Sequence, residues 1–376
     1  MKFLFIVQGE GRGHMTQAIS LSQKLADWGH TLVAVCIGKS ERREVPPFVH
    51  QKITAPIYLF ESPNFVTDRG QKSILLGKTI SRNLAHLPKF RKSLALLDEQ
   101  VKKYQPDVIL NFYDMLAGFY NLLYRPQCRF WVIGHQYLIR HPEFPFAIGD
   151  PLGKFLFRLN TAITAFGADK TISLSFRKYA PLSKQDFHVV PPLLRRELEG
   201  LQSTHGDFFL AYMVNPGYGE EIISFAQKNP KVRIEAFWDN RSQPDGYSPS
   251  PNLVFHQVSD SLFLEKMAQC RGLVTTAGFE SICEAMYLGK PVMMIPVKGQ
   301  YEQACNALDA ENCGAGFAHT EFDFLKFSNE LDRNWSPNPK SKEWFGQFDG
   351  LFTQLLESDR KETKTKTGAE SLSRSH

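Results

Sequence analysis

The chain of 376 residues predicts an α/β protein built from two doubly wound, Rossmann-like domains that face a cleft. Three observations predict it. Short apolar runs alternate with stretches of helical spacing, the pattern of a parallel sheet covered on both faces. The alternation comes in two series, the second beginning at Asp207, with Pro191 and Pro192 as a hinge between them. The length suits two domains at roughly 150 residues each.

Each element can be justified in order. Residues 3–7, FLFIV, form a continuous apolar run, as in a strand buried on both faces. Met15, Ala18, Ile19, Ser22, Leu25 and Ala26 then recur at helical spacing, and Gly29 is a natural stop. TLVAVCIG is the second strand. The unit repeats with a helix near 90–104 before QPDVILNF, a segment at 115–124 before RFWVIG, and a helix near 153–166 before DKTISL. In the second series DFFLAYMV, VRIEAFW, NLVFHQV, GLVTT and PVMMIPV are strands. Helices are expected after NPGYGEE and over SDSLFLEKMAQC, GFESICEAMYLG and QYEQACNALDAENCG. The domains are therefore placed at 1–190 and 207–357, joined by 191–206, with the last helix packing back on the first domain. The polar tail 358–376 has no periodicity and reads as disordered.

Composition narrows the function. Hydrophobic residues make up 43% and charged residues 22%, and the net charge of +5 is too small to argue for nucleic acid. Six cysteines lack any zinc spacing and sit in apolar runs, as in a reduced cytoplasmic protein. No apolar run approaches the ~20 residues of a spanning helix. Residues 78–103 hold seven basic side chains against Asp98 and Glu99. Leu84, Leu87, Phe90, Leu94, Leu97 and Val101 run through them at helical spacing, with Pro88 expected to split the stretch in two. That pattern fits a core-facing stripe with a solvated back, or a peripheral contact with the inner face of a membrane.

The chemistry concentrates at strand-to-helix turns. In QGEGRGH the glycines Gly9, Gly11 and Gly13 keep side chains out of the way of approaching ligands, and His14 opens a helix. An imidazole there suits a general base at neutral pH, and the helix N-terminus favours its neutral form. The turn lacks the spacing of a dinucleotide fingerprint and the Lys-Ser/Thr of a P-loop. Asp114 follows DVILNF and belongs at the same edge. In the second series Thr275 and Thr276 end a strand, and Ala277 and Gly278 open a helix whose free N–H groups suit a pyrophosphate. Glu284 lies further along to accept ribose hydroxyls, and Glu302, Gln303 and Asn306 follow the next strand with groups suited to a sugar ring. NPGYGEE at 215–221 reads equally as a diphosphate loop or a plain turn.

Residues 275–316 resemble the donor-nucleotide signature of GT-B glycosyltransferases, the group of plant-type UDP-glycosyltransferases and the peptidoglycan N-acetylglucosaminyltransferase. The match falls on Gly278, Ser281, Glu284, Gly289, Pro291, Glu302, Gln303, Asn306 and Ala307. The Gln8–Gln17 stretch and GHQ at 134–136 resemble a bacterial and archaeal branch of that superfamily, with His135 and Gln136 on the acceptor side. The resemblance covers about residues 1–330. It implies an inverting, metal-independent transfer of a sugar from a nucleotide donor, expected to be UDP-linked, to an acceptor hydroxyl of unknown identity, lipid-linked acceptors included, with no cofactor beyond the substrates. It also implies that Asp114 orients His14 and that Val258 joins the nucleotide-binding residues. The chain departs from the pattern at Thr276, where relatives carry His, and at Glu280, often Asn. A sugar-nucleotide epimerase of the same fold and a nucleotide-sugar-binding protein without turnover are the alternatives. The absence of any D-x-D argues against a metal-dependent GT-A transferase.

Overall fold

The computed structural model describes residues 1–39, 45–63, 83, 85–182, 186–213, 216–240 and 242–373. The first sheet is built from β1 (Lys2–Gln8), β2 (Thr31–Lys39), β3 (Ile57–Glu61), β4 (Val108–Phe112), β5 (Arg129–Gly134), β6 (Lys170–Leu174) and β7 (Phe187–Val190). Their order is β3-β2-β1-β4-β5-β6-β7, with every pair parallel. Helices α1 (Arg12–Asp27), α2 (Pro47–Lys52), α3 (Leu87–Tyr104), α4 (Met115–Tyr124) and α5 (Pro151–Thr164) form the crossovers.

The second sheet holds β8 (Phe208–Tyr212), β9 (Arg233–Trp238), β10 (Tyr247–Ser250), β11 (Leu253–Gln257), β12 (Gly272–Thr275), β13 (Val292–Met294) and β14 (Gly316–Ala318). Its order is β10-β11-β9-β8-β12-β13-β14, parallel except for the β10–β11 pair. Helices α6 (Gly219–Lys228), α7 (Asp260–Gln269), α8 (Phe279–Tyr287), α9 (Tyr301–Asn312) and α10 (Phe324–Asn334) accompany it. The predicted α/β architecture of two doubly wound sheets is what the chain adopts.

Strand order reverses between β1 and β4 in one sheet and between β8 and β12 in the other. Such switch points open a crevice at the carboxyl ends of the strands. The crevices position the GEGRGH turn, Asp114 and the TTAG turn. β1 and β4 are buried along nearly their whole length, which explains their unbroken apolar runs.

Two helices close the chain. In α11 (Pro339–Phe345) the Trp344 indole N–H donates to the Ser175 carbonyl at 3.1 Å. In α12 (Phe348–Ser373) Phe352 stacks on Trp28 and Asp359 pairs with Arg129. Residues 358–373 of the tail expected to be disordered thus continue this helix, whose earlier turns are anchored on the N-terminal domain. Asn83 and Ala85 are helical and His86 is a turn, so the basic stretch breaks just ahead of Pro88 as expected. The proline sits in the first turn of α3, where a missing N–H costs no helical bond. Phe90, Leu97 and Val101 turn into the core, and residues 78–82 and 84 lie outside the described residues. All six cysteines are free, and all but Cys128 are buried.

Candidate active site

The two crevices merge into one cleft of about 540 Å³ between the sheets. On the N-terminal side, Gly11 caps α1 in an extended conformation with no side-chain cap, so the first N–H groups of the helix are available. The other two glycines have close protein neighbours, although Gly13, like Gly11, lines the cleft. A Cβ on Gly9 would lie 2.7 Å from the Gly38 carbonyl oxygen, to which Gly9 N–H already donates, and Gly9 does not line the cleft. The space a Cβ would need on Gly13 is filled by the Glu280 carboxylate.

His14 stands in the first turn of α1 and faces the cleft while almost fully buried. Its ring lies 5.7 Å from that of Tyr113 at an interplanar angle of 26°. The Gln136 amide nitrogen is 3.4 Å from Nε2. An amide nitrogen only donates, so Nε2 accepts and the ring proton sits on Nδ1. Burial draws the His14 pKa from 6.5 down to about 4, against a smaller upward pull from Gln17, so the ring is neutral at pH 7.

Asp114 does not orient that ring. Its Oδ1 accepts from Leu116 N–H at 2.8 Å and Ala117 N–H at 3.3 Å, capping α4, and it does not line the cleft. Burial raises its pKa to about 6, with the Ser62 side chain and the two N–H groups opposing. The neighbour that touches His14 is Tyr113. It takes a left-handed backbone at φ 63° and anchors its hydroxyl on Thr161 Oγ1 at 2.8 Å. Strain of this kind in a bulky residue is typical of functional turns.

On the C-terminal side, Ala277 has φ 58° and Gly278 caps α8 without a side-chain bond. Asn306, from α9, donates to the Ala277 carbonyl at 3.2 Å and holds this turn. Ala277, Gly278, Ser281, Glu284 and Val258 line the cleft. Thr275 and Thr276 do not; both are buried behind the turn, with Thr275 Oγ1 3.4 Å from Ser281 Oγ. Glu284 is not a bare carboxylate. Arg195, from the inter-domain segment, grips it with Nε to Oε1 at 2.5 Å and Nη2 to Oε2 at 2.6 Å, and also pairs with Asp260. Each Glu284 oxygen keeps a second lone pair for a ligand.

The sugar-side residues reach across the cleft. Glu302 accepts from Gln136 at 2.8 Å, so one amide joins His14 to Glu302. Gln303 accepts from Val297 N–H at 2.8 Å, which aims its NH₂ elsewhere. Glu280 accepts from Gln17 of α1. Desolvation raises Glu280 to about 7, helped by Glu284 and Glu302, and raises Glu302 to about 7 against the Gln136 bond. His135 is buried at the inter-domain seam, stacked 4.1 Å from Phe279 with Nδ1 donating to the Leu174 carbonyl at 2.8 Å. The described part of the 215–221 loop, from 216, is a short turn leading into α6 and does not line the cleft; Asn215 lies outside the described residues. Among the described residues no cluster of His, Cys, Asp and Glu has the makings of a metal site.

Residues 1–332 match the family described as glycosyl transferase family 1. The chain belongs to that family. It is a glycosyltransferase.

A relative of the transferase is an uncharacterized glycosyltransferase of Methanosarcina acetivorans, 21% identical over 84% of this chain and 85% of the other. Among solved structures it is similar to the glycotransferase of kitacinnamycin, at 15% identity and TM-score 0.61 over 96% and 98% of the two chains. It is similar as well to Acinetobacter baumannii MurG, at 15% identity and TM-score 0.56 over 95% and 100%. UGT2 of Phytolacca americana, solved with UDP-2fluoro-glucose and pterostilbene, superposes with TM-score 0.62 at 10% identity over 95% and 99%. These likenesses identify the transferase's fold as GT-B. Sequence reasoning missed Tyr113 and Arg195 in its cleft. An aromatic residue at a strand end and an arginine beside a double proline carry no distinguishing pattern.

Proposed function

We propose that the chain transfers a sugar from a UDP-linked donor to an acceptor hydroxyl, with inversion and without a metal. The observation that carries this reading is a neutral, nearly buried imidazole opposite the uncapped N-terminus of α8 in one cleft. The acceptor hydroxyl displaces Gln136 from His14 Nε2. Its oxygen attacks the anomeric carbon as its proton passes to Nε2. The bond from that carbon to the β-phosphate oxygen breaks on the opposite side, which inverts the centre. The leaving diphosphate keeps the electron pair and is stabilised by the N–H groups of α8. Glu284, held by Arg195, accepts from the ribose hydroxyls through its remaining lone pairs. Gln303 and Glu302 contact the donor sugar.

The test is incubation with a panel of nucleotide sugars and candidate acceptors in the presence of a chelator. Free UDP with a glycoside of inverted anomeric configuration, read by NMR, is the expected outcome. An isomerised nucleotide sugar without acceptor would identify an epimerase instead. Loss of transfer on chelation would overturn metal independence.

A further inference from the structure

Helix α5 is apolar on two opposite sides. Its inner side buries Phe157, Thr161 and Thr164. Its outer side leaves Leu152 54% exposed, Phe155 60% and Leu159 44%, at the i, i+3, i+7 spacing of one helical face. Ile148, just ahead of the helix, is fully exposed. At the far end α4 packs alongside and adds exposed Leu122, Leu123 and Tyr124. Apolar residues gathered in this way mark an interaction surface on a soluble chain.

The helix itself carries only basic charge, with Asp150 at its start and Asp98 beside Tyr120 the carboxylates near its two ends. The only charged residues of α5 are Lys154 and Arg158, and Arg125 ends α4 exposed. Asp150, the nearest carboxylate in sequence, is committed to the Gly153 N–H at 2.8 Å as the helix cap. Lys154 lies over the Phe146 ring at 4.0 Å. Large apolar side chains flanked by cations that can reach outward are what an anionic bilayer surface binds. The face also runs into the cleft, because Leu152 is both exposed and part of the cleft lining.

We propose that the outer face of α5, with the end of α4, docks the transferase on an anionic lipid bilayer and sets the mouth of the cleft at the lipid surface. The basic helix α3 is the poorer candidate, because its own apolar stripe turns inward at Phe90, Leu97 and Val101.

Co-sedimentation of the full chain at low salt tests this with vesicles of phosphatidylcholine alone and mixed with phosphatidylglycerol. The wild type should pellet with the mixed vesicles, less so at high salt. Phe155→Ser/Leu159→Ser, at positions outside the cleft lining, should cut that fraction about tenfold with UDP affinity unchanged. Arg158→Glu should weaken binding to mixed vesicles without removing an apolar group. Lys89→Glu/Lys92→Glu on α3 should pellet like the wild type. A wild type that pellets with neither vesicle, or a double variant that pellets normally, would overturn the proposal. So would a wild-type dimer, by light scattering, that Phe155→Ser/Leu159→Ser splits, since the face would then belong to a second copy. Vesicle binding needs no turnover, so it stands or falls separately from the reading of the reaction.

Discussion

The two switch points of the molecule share a topology and differ in chemistry. Each has a parallel strand ending at a turn whose non-glycine residue has positive φ, Tyr113 in one sheet and Ala277 in the other. Among the described residues the two further non-glycine residues of positive φ, Gln105 and Arg125, are helix C-caps, where that conformation is routine. At the N-terminal turn, strain holds an aromatic ring against a neutral imidazole. At the C-terminal turn, it opens a helix end ringed by Glu280, Glu284 and Glu302. One crevice presents a neutral imidazole and the other an uncapped helix N-terminus, so topology places the pocket while a few side chains decide its chemistry.

The sharpest way to break this comparison is His14→Ala. Transfer should fall roughly 10²–10⁴-fold, the usual weight of a general base, with UDP affinity kept. Near-normal turnover with the true acceptor would return the turn to a structural role. With its pKa drawn down to about 4, the ring remains unprotonated as pH falls from 8 to 6, so the base should not shut off near 6.5.

Arg195→Leu should come next. It leaves the buried Glu284 without its partner, a loss of about 3–5 kcal/mol of stability in urea titration, with weaker UDP binding alongside. Unchanged stability and affinity would remove the Arg195–Glu284 pair from the site.

Smaller effects separate the two halves of the donor. Gln303→Ala should slow turnover with the full nucleotide sugar while hardly changing calorimetric affinity for UDP. Equal loss for both would move Gln303 to the nucleotide side. Acidity gives a further test. Glu280 and Glu302 are protonated below their raised pKa of about 7 and charged above it, so UDP affinity should fall as pH rises from 6 to 8. Glu280→Gln should flatten that trend, and an affinity that rises with pH would contradict it.

The smallest expected effect is Asp114→Asn. Asparagine caps a helix about as well as aspartate, so stability should change by less than about 1 kcal/mol and turnover by less than about threefold. A hundredfold loss would restore the orienting role implied by the family resemblance.

What could be read in the sequence was what repeats. Strands such as FLFIV and DVILNF are buried on both faces and announce themselves as apolar runs. The uncapped turn at Gly278 was legible because its spacing to Glu284 and Asn306 is dictated by one strand and two helices. The strands β3, β7, β10 and β14, the edges of the two sheets, were not legible. The last two are short edge strands, and β10 carries Pro249. Arg195 and Asp359 were missed for a different reason. Each makes its bond to a residue distant in sequence, Glu284 or Arg129, and no local pattern encodes the partner. Asp114 misled because a carboxylate at a strand end serves equally as a helix cap or as the partner of a base.

The return of the chain at Trp344 and Phe352 gives the molecule a mechanical character. The polypeptide passes between the lobes twice, once through residues 191–206 and once on the way into α11. A single strap would let one lobe swivel freely about it. With two straps, and with Gln17–Glu280, Gln136–Glu302 and Lys52–Asp260 bridging the lobes, the walls of the cleft are tied through the chain as well as through side chains. Cutting the second strap, by ending the chain before α11, would leave residues 191–206 as the one covalent tie.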